Sequence, residues 1–317
     1  MFYVKIMEKV TLGNVDQWYI ARGSNIENPI LIFFHGGPGS PQTGAQHKYN
    51  KELEKHFLVV NWDQRGCGKS YNKNIDSQTM NVQQLLSDAY ELVQYLLERF
   101  NKKKVYIMGH SMGALLGILF VKKYPEVTIA YVGINQPINR PLEEEDSYRW
   151  TLDYASKIND KKALEELEKI GAPKNGSYKS IDGLVKQRTY LTKIGGVTYK
   201  KNAMFINMHY LLSSHFNLRD RLNFFKGFSF TSQYLWEELS SYNITESIVE
   251  LNVPVYFVMG RHDKIVHNLV ENFYQNVKAP RKSLIVLEKS GHLACFEEPE
   301  VFNAFMINKV LEENEVA

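Results

Sequence analysis

Residues 103–125, KKVYIMGHSMGALLGILFVKKYP, decide how this chain folds. Val105, Tyr106, Ile107 and Met108 form a short apolar run with the β-branched and aromatic content of a buried parallel strand. The run passes directly into Gly109-His110-Ser111-Met112-Gly113, and residues 114–121 then read as a buried helix that stops before Pro125. Strand, sharp turn and helix are the setting in which G-x-S-x-G lifts a serine hydroxyl clear of a sheet. The glycines at 109 and 113 follow from crowding, because such a turn leaves no room for a Cβ beside a strained serine. The helix aims its unpaired N–H groups and partial positive charge at the reacting atoms, which favours a developing oxyanion.

On the amino-terminal side, residues 3–12 and 17–22 alternate as two antiparallel strands around a turn at Gly13-Asn14. Residues 29–34 (PILIFF) and 57–62 are continuous apolar runs, the mark of strands covered on both faces. Between 80 and 100, Leu85, Leu86, Ala89, Val93, Leu96, Leu97 and Phe100 recur every three to four residues, which predicts a long amphipathic helix. Residues 129–134 give a further strand. Alternation of this kind specifies a mostly parallel sheet with helices on both faces.

The rhythm breaks at Pro137. Residues 138–245 contain no buried-strand run; they are helical, with a charge cluster at Glu143–Asp146 and aromatics that include Tyr148, Trp150, Tyr154, Tyr234 and Trp236. The expectation is a helical cap, 138–245, inserted between two parts of an α/β core, 1–137 and 246–317. The core resumes with strands at 253–259 and 283–287, a helix around 269–277 and a last helix near 299–311.

Composition bounds the function without choosing it. The chain has 317 residues, 44% hydrophobic and 23% charged, as an ordinary globular protein does. A net charge of +3 gives no push toward nucleic acid. No run approaches the length of a transmembrane helix, and the first residues turn polar at once, so a cytoplasmic location is expected. Two cysteines, Cys67 and Cys295, do not make a disulfide framework. No His or Cys pair has metal-ligand spacing, and Gly66-Cys67-Gly68-Lys69-Ser70 lacks the leading glycine of a phosphate-binding loop, since position 63 is Asp. No cofactor is expected, and the oligomeric state is left open.

An alcohol is a poor nucleophile near neutral pH, so Ser111 needs a base held in one tautomer by a third group. Elbows of this kind take their acid and then their base later in the chain. Asp263 in GRHD and His292 in SGH follow in that order, each just past the end of an expected strand, where open parallel sheets place their sites. Other carboxylates are less well placed: Asp63 reads as an ion-pair partner of its neighbour Arg65, and Glu288 falls on the last strand. The strand ending at Ile134 offers only an amide, Asn135. Two backbone donors must face the oxyanion. Met112 N–H should give one, and Gly37 or Gly36 in His35-Gly36-Gly37-Pro38-Gly39 the other.

With HGGPG (35–39), DQRGCGKS (63–70), GHSMG (109–113), GRHD (260–263) and SGH (290–292), the chain resembles the proline iminopeptidase family, serine peptidases with the α/β-hydrolase fold. The resemblance covers the core; the cap matches in position and helical character. It implies a catalytic triad of Ser111, Asp263 and His292, an oxyanion hole of Gly37 and Met112, and release of amino-terminal proline from short peptides without metal or cofactor. It also implies cap carboxylates that hold the substrate's ammonium, with Glu237 and Glu238 beside Trp236 as first candidates and Glu144 and Glu145 as second. His110 and Met112 stand where that family usually has glycine and an aromatic residue. A carboxylesterase or lactonase acting on small apolar esters is therefore the alternative, and a hydrolase-fold ligand sensor is the alternative from another class.

Overall fold

The computed structural model describes residues 3–201, 203–213, 216–266 and 269–315. The chain opens with an antiparallel pair, β1 (Val4–Leu12) and β2 (Val15–Gly23). It then runs through β3 (Ile30–Phe34), α1 (Thr43–Tyr49), β4 (Leu58–Asp63), α2 (Val82–Arg99), β5 (Val105–His110), α3 (Met112–Lys123) and β6 (Thr128–Ile134). Between β6 and the next strand lie α4 (Arg140–Lys157), α5 (Lys161–Ile170), α6 (Ile181–Lys193), α7 (Ala203–Leu212) and α8 (Leu218–Ser240). The sheet resumes with β7 (Val255–Gly260), α9 (Leu269–Asn276) and β8 (Lys282–Leu287). Short α10 (Ala294–Glu297) and α11 (Pro299–Phe305) follow, the latter widening into π turns over Met306–Leu311.

The strands form one eight-stranded sheet in the order β1-β2-β4-β3-β5-β6-β7-β8, parallel from β4 to β8. Period-two alternation divides the core into two layers. Ile30, Ile32, Phe34, Val105 and Ile107 face one side, with Leu92, Leu96 and Phe120 from α2 and α3. Leu31, Phe33, Tyr106 and Met108 face the other, with Phe296, Phe302 and Met306 from the carboxyl terminus. α3 is apolar on nearly every side and is correspondingly buried. α2 starts at Asn81, whose side chain accepts from Gln84 N–H at 2.8 Å, and its apolar face lies on the sheet.

Two expectations about loops are corrected. Arg65 does not pair with Asp63; its fully buried guanidinium is bound by Asp88 of α2, Nε to Oδ2 at 2.6 Å and Nη2 to Oδ1 at 2.8 Å. A guanidinium fork matches a carboxylate it can meet side-on, and α2 presents one. Asp63 instead accepts from Lys69 N–H at 2.9 Å. Glu288 lies beyond the end of β8 and pairs with Arg261 at 2.8 Å.

The helical segment between β6 and β7 is tied at its base. Arg140 N–H donates to Tyr242 O at 2.9 Å and Ile244 N–H to Ile138 O at 2.8 Å, so the entering and leaving chains are zipped together. No helix among the described residues is long and apolar enough to cross a membrane.

Candidate active site

Ser111 sits between the end of β5 and the start of α3 with φ 55° and ψ −123°, a backbone conformation that side chains rarely adopt. The flanking glycines are sterically required. A Cβ on Gly109 would lie 2.4 Å from Gly113 O, and one on Gly113 would lie 2.0 Å from Phe34 O. The strand end is further pinned by Ser111 N–H donating to Ile134 O at 2.9 Å.

The structure brings Ser111, His292 and Asp263 together. His292 Nε2 is 2.8 Å from Ser111 Oγ, and its Nδ1 is 2.8 Å from Asp263 Oδ2. Asp263 Oδ1 accepts from the N–H groups of Ile265 (2.7 Å) and Val266 (3.2 Å). Burial works to raise the Asp263 pKa, but His292 and these amide donors outweigh it and hold the carboxyl below 3.8. Asn135, an amide and so unable to serve as the acid, supports it instead. Its Nδ2 donates to Asp263 Oδ2 at 2.7 Å from a left-handed position at the end of β6.

His292 is clamped through its backbone. His292 N–H donates to Val197 O at 2.6 Å, and His292 O accepts from His110 Nε2 at 2.6 Å. Burial lowers the His110 pKa to about 3, so this imidazole stays neutral and faces the Gln42 amide through Nδ1 at 3.1 Å. Lys264 N–H, beside Asp263, donates to Gly196 O at 3.0 Å. One loop of the helical segment therefore holds both the Asp263 loop and the His292 loop. Glu297, which no sequence motif marks, accepts from Gly291 N–H and from Tyr199 N–H, each at 2.8 Å, and so ties the His292 loop to that loop of the helical segment.

A cavity of about 630 Å³ opens over Ser111 and His292. Gly36, Gly37, Met112 and Trp236 line it. Met112 is the first residue of α3, so its N–H has no acceptor within the helix. Gly37 has φ 123°, and Gly36 N–H reaches Gln42 Oε1 only at 3.4 Å.

The expected carboxylates are not on the wall. With Trp236 facing the cavity, the next two residues of α8 are turned about 100° and 200° around the helix. Glu237 is exposed, and Glu238 Oε2 accepts from Val82 N–H at the start of α2 at 2.9 Å. Glu145 is likewise off the wall, one position round α4 from Glu144. Glu144 is fully buried behind two residues that do line the cavity, Arg140 and Arg188, and its Oε1 accepts from both. Arg140 also binds Glu143 at 2.9 Å. Neither arginine belongs to a sequence motif. Arg140 carries a local signal, since Glu143 and Glu144 stand three and four residues on, whereas nothing local pairs Arg188 with Glu144. Cys67 and Cys295 are free and buried.

Residues 29–299 match the family described as the alpha/beta hydrolase fold. The probable aminopeptidase YbaC of Bacillus subtilis is 33% identical over 305 residues, covering 94% of each chain. The proline iminopeptidase of Saccharolobus solfataricus is 23% identical over 289 residues, covering 90% of this chain and 84% of that one. Among solved structures, a proline iminopeptidase-related protein of Thermus thermophilus superposes with a TM-score of 0.69 at 16% identity, over 99% of this chain and 100% of that one.

Proposed function

The chain belongs to the alpha/beta hydrolase fold family, and on that premise we propose a serine hydrolase that works through an acyl-enzyme and releases the amino-terminal residue of short peptides. The observation that carries the proposal is the succession Ser111 Oγ, His292, Asp263, with both links at 2.8 Å, at the floor of the cavity. The aminopeptidase part is supported by the relatives, one of them 33% identical and named a probable aminopeptidase.

In this mechanism Ser111 Oγ attacks the scissile carbonyl carbon while His292 Nε2 takes the hydroxyl proton. Asp263 Oδ2 keeps the Nδ1 proton in place and stabilises the imidazolium as it forms. The carbonyl electron pair moves onto oxygen, and the N–H groups of Met112 and Gly37 receive that charge. Collapse of the tetrahedral intermediate expels the amine, which leaves with the proton from His292. Water, deprotonated by the same imidazole, then attacks the acyl carbon; the second tetrahedral intermediate collapses to the free acid as Ser111 Oγ leaves with the proton from His292.

A second reading has its own observation. Among the described residues of the wall there is no carboxylate to meet a substrate ammonium, while Leu184, Ile265, Phe228 and Leu293 offer apolar surface. A desolvated ammonium without a counter-charge binds poorly, so a neutral ester would suit this wall.

One panel tests both readings: proline, alanine and acetyl arylamides beside short-chain aryl esters, with fluorophosphonate labelling run in parallel. Labelling lost in Ser111→Ala, with fast cleavage only of free-amine arylamides, is the expected result. Fast turnover of esters and acetyl arylamides alike would replace the aminopeptidase with an esterase. A serine that never labels would point to a ligand sensor.

A further inference from the structure

Among the described residues, the charged side chains on the cavity wall are of one sign. Arg140 and Arg188 stand on it, Lys193 joins them, and the acids that neutralise them lie behind or outside: Glu143 and Glu144 in the interior, Asp160 at the surface. We propose that this wall binds a carboxylate carried by the substrate, with Arg188 as the direct contact and Arg140 held beside it. The inference deepens the hydrolase reading and rests on it.

Geometry favours Arg188 for the contact. Its side chain is 20% exposed, against 3% for Arg140, so it is the guanidinium a ligand can reach. Its hydrogen bonds to Glu144 and Gln187 use two of five N–H donors, and the planar fork keeps the rest aimed. Glu144 bridges the two arginines through one oxygen and fixes both against rotation. Because the cations stand nearer the cavity than their partners, the field inside it is positive, and the surrounding apolar wall screens it little. Beside Arg188 that field favours an anion.

A substrate carboxylate has two possible sources on either side of the scissile bond. In a dipeptide it is the carboxyl terminus of the leaving part; in a half-ester of a dicarboxylic acid it belongs to the acyl part. Two matched pairs separate them. The first is a dipeptide such as Pro-Ala against its carboxyl-terminal amide. The second is the 4-nitrophenyl half-ester of glutaric acid against 4-nitrophenyl butyrate.

The expected result is a preference of about tenfold or more in kcat/KM for the charged member of one pair, expressed mainly in KM. Arg188→Gln should bring that ratio close to one, and Arg188→Lys should restore part of it. The wild-type ratio stands without any variant, so misfolding of Arg188→Gln cannot shield the proposal. Ratios near one in both pairs, with Ser111 still labelled by fluorophosphonate, would overturn the carboxylate subsite and leave the hydrolase intact. Loss of labelling and of all turnover would instead remove the hydrolase reading itself.

Discussion

The strand ends and the helical segment wall the same cavity, yet different forces hold them. At the strand ends, position is set by backbone: glycines that exclude a Cβ, a strained serine, and amides bonded to the acid. In the helical segment, position is set by long side chains paired within and between helices, Arg140 of α4 and Arg188 of α6 on Glu144 of α4 above all. Backbone geometry tolerates almost no displacement, which suits a proton transfer over hydrogen-bond distances. Side-chain pairs can be exchanged without disturbing the strands, which suits the part of a site that selects its substrate. The contrast predicts a division of kinetic effects: changes at the strand ends lower kcat, and changes in the helical wall move KM.

The largest effect falls on the acid. Asp263→Asn keeps the size of the side chain but withdraws the charge that orients His292, and kcat should fall by about 10⁴-fold. Stability carries a second signature. The folded pKa of Asp263 lies below its ordinary 3.8, so the carboxylate contributes stability that is complete above that value and is lost as pH falls through the lower folded one. Urea midpoints measured from neutral to strongly acidic pH should therefore show an acid-side loss in the wild type that is reduced in Asp263→Asn. A variant that changes KM and leaves kcat alone would break the division at its strongest point.

The next effect separates stability from chemistry. Asp88→Asn leaves the Arg65 guanidinium buried without its counter-charge, a change that costs about 3–5 kcal/mol. Denaturant titration should register that loss, while kcat of the folded fraction stays near that of the wild type. A kcat loss as large as that of Asp263→Asn would mean that the 63–70 loop takes part in the chemistry.

Asn135 sharpens the comparison from within the strand ends. Its amide donates to the charged acid, and removing such a bond in Asn135→Ala should lower kcat about tenfold at unchanged KM. Steady-state rates on one aryl ester suffice to check it.

What was legible in the sequence follows the same line. Gly109, Ser111 and Gly113 are near neighbours in the chain, so their steric relation is local and the elbow could be read directly. Asp263 and His292 were recoverable because each follows an apolar strand, and strand ends converge in a parallel sheet. Asn135 occupies the same kind of position but lacks the charge that a search for the acid requires, although an amide can hold a carboxylate it cannot replace. The pairing of Arg188 with Glu144 spans 44 residues and the pairing of Arg65 with Asp88 spans 23, and no local pattern encodes either. Glu237 and Glu238 beside Trp236 resemble a binding pair only while helical rotation is left out of account.

The smallest effect tests that last correction. Glu238 accepts from Val82 N–H, one of the amides that α2 cannot satisfy internally, and its charge sits at the positive end of that helix. Glu238→Gln keeps an oxygen acceptor but loses the charge, so it should cost about 0.5–1 kcal/mol in a denaturant titration. Glu237→Gln, on an exposed surface, should stay within about 0.5 kcal/mol of the wild type. Neither should change KM for a proline arylamide, because neither side chain is on the cavity wall. A sharp rise in KM for free-amine substrates in the double variant, with esters unaffected, would return an ammonium clamp to α8 and undo the assignment of a purely cationic wall.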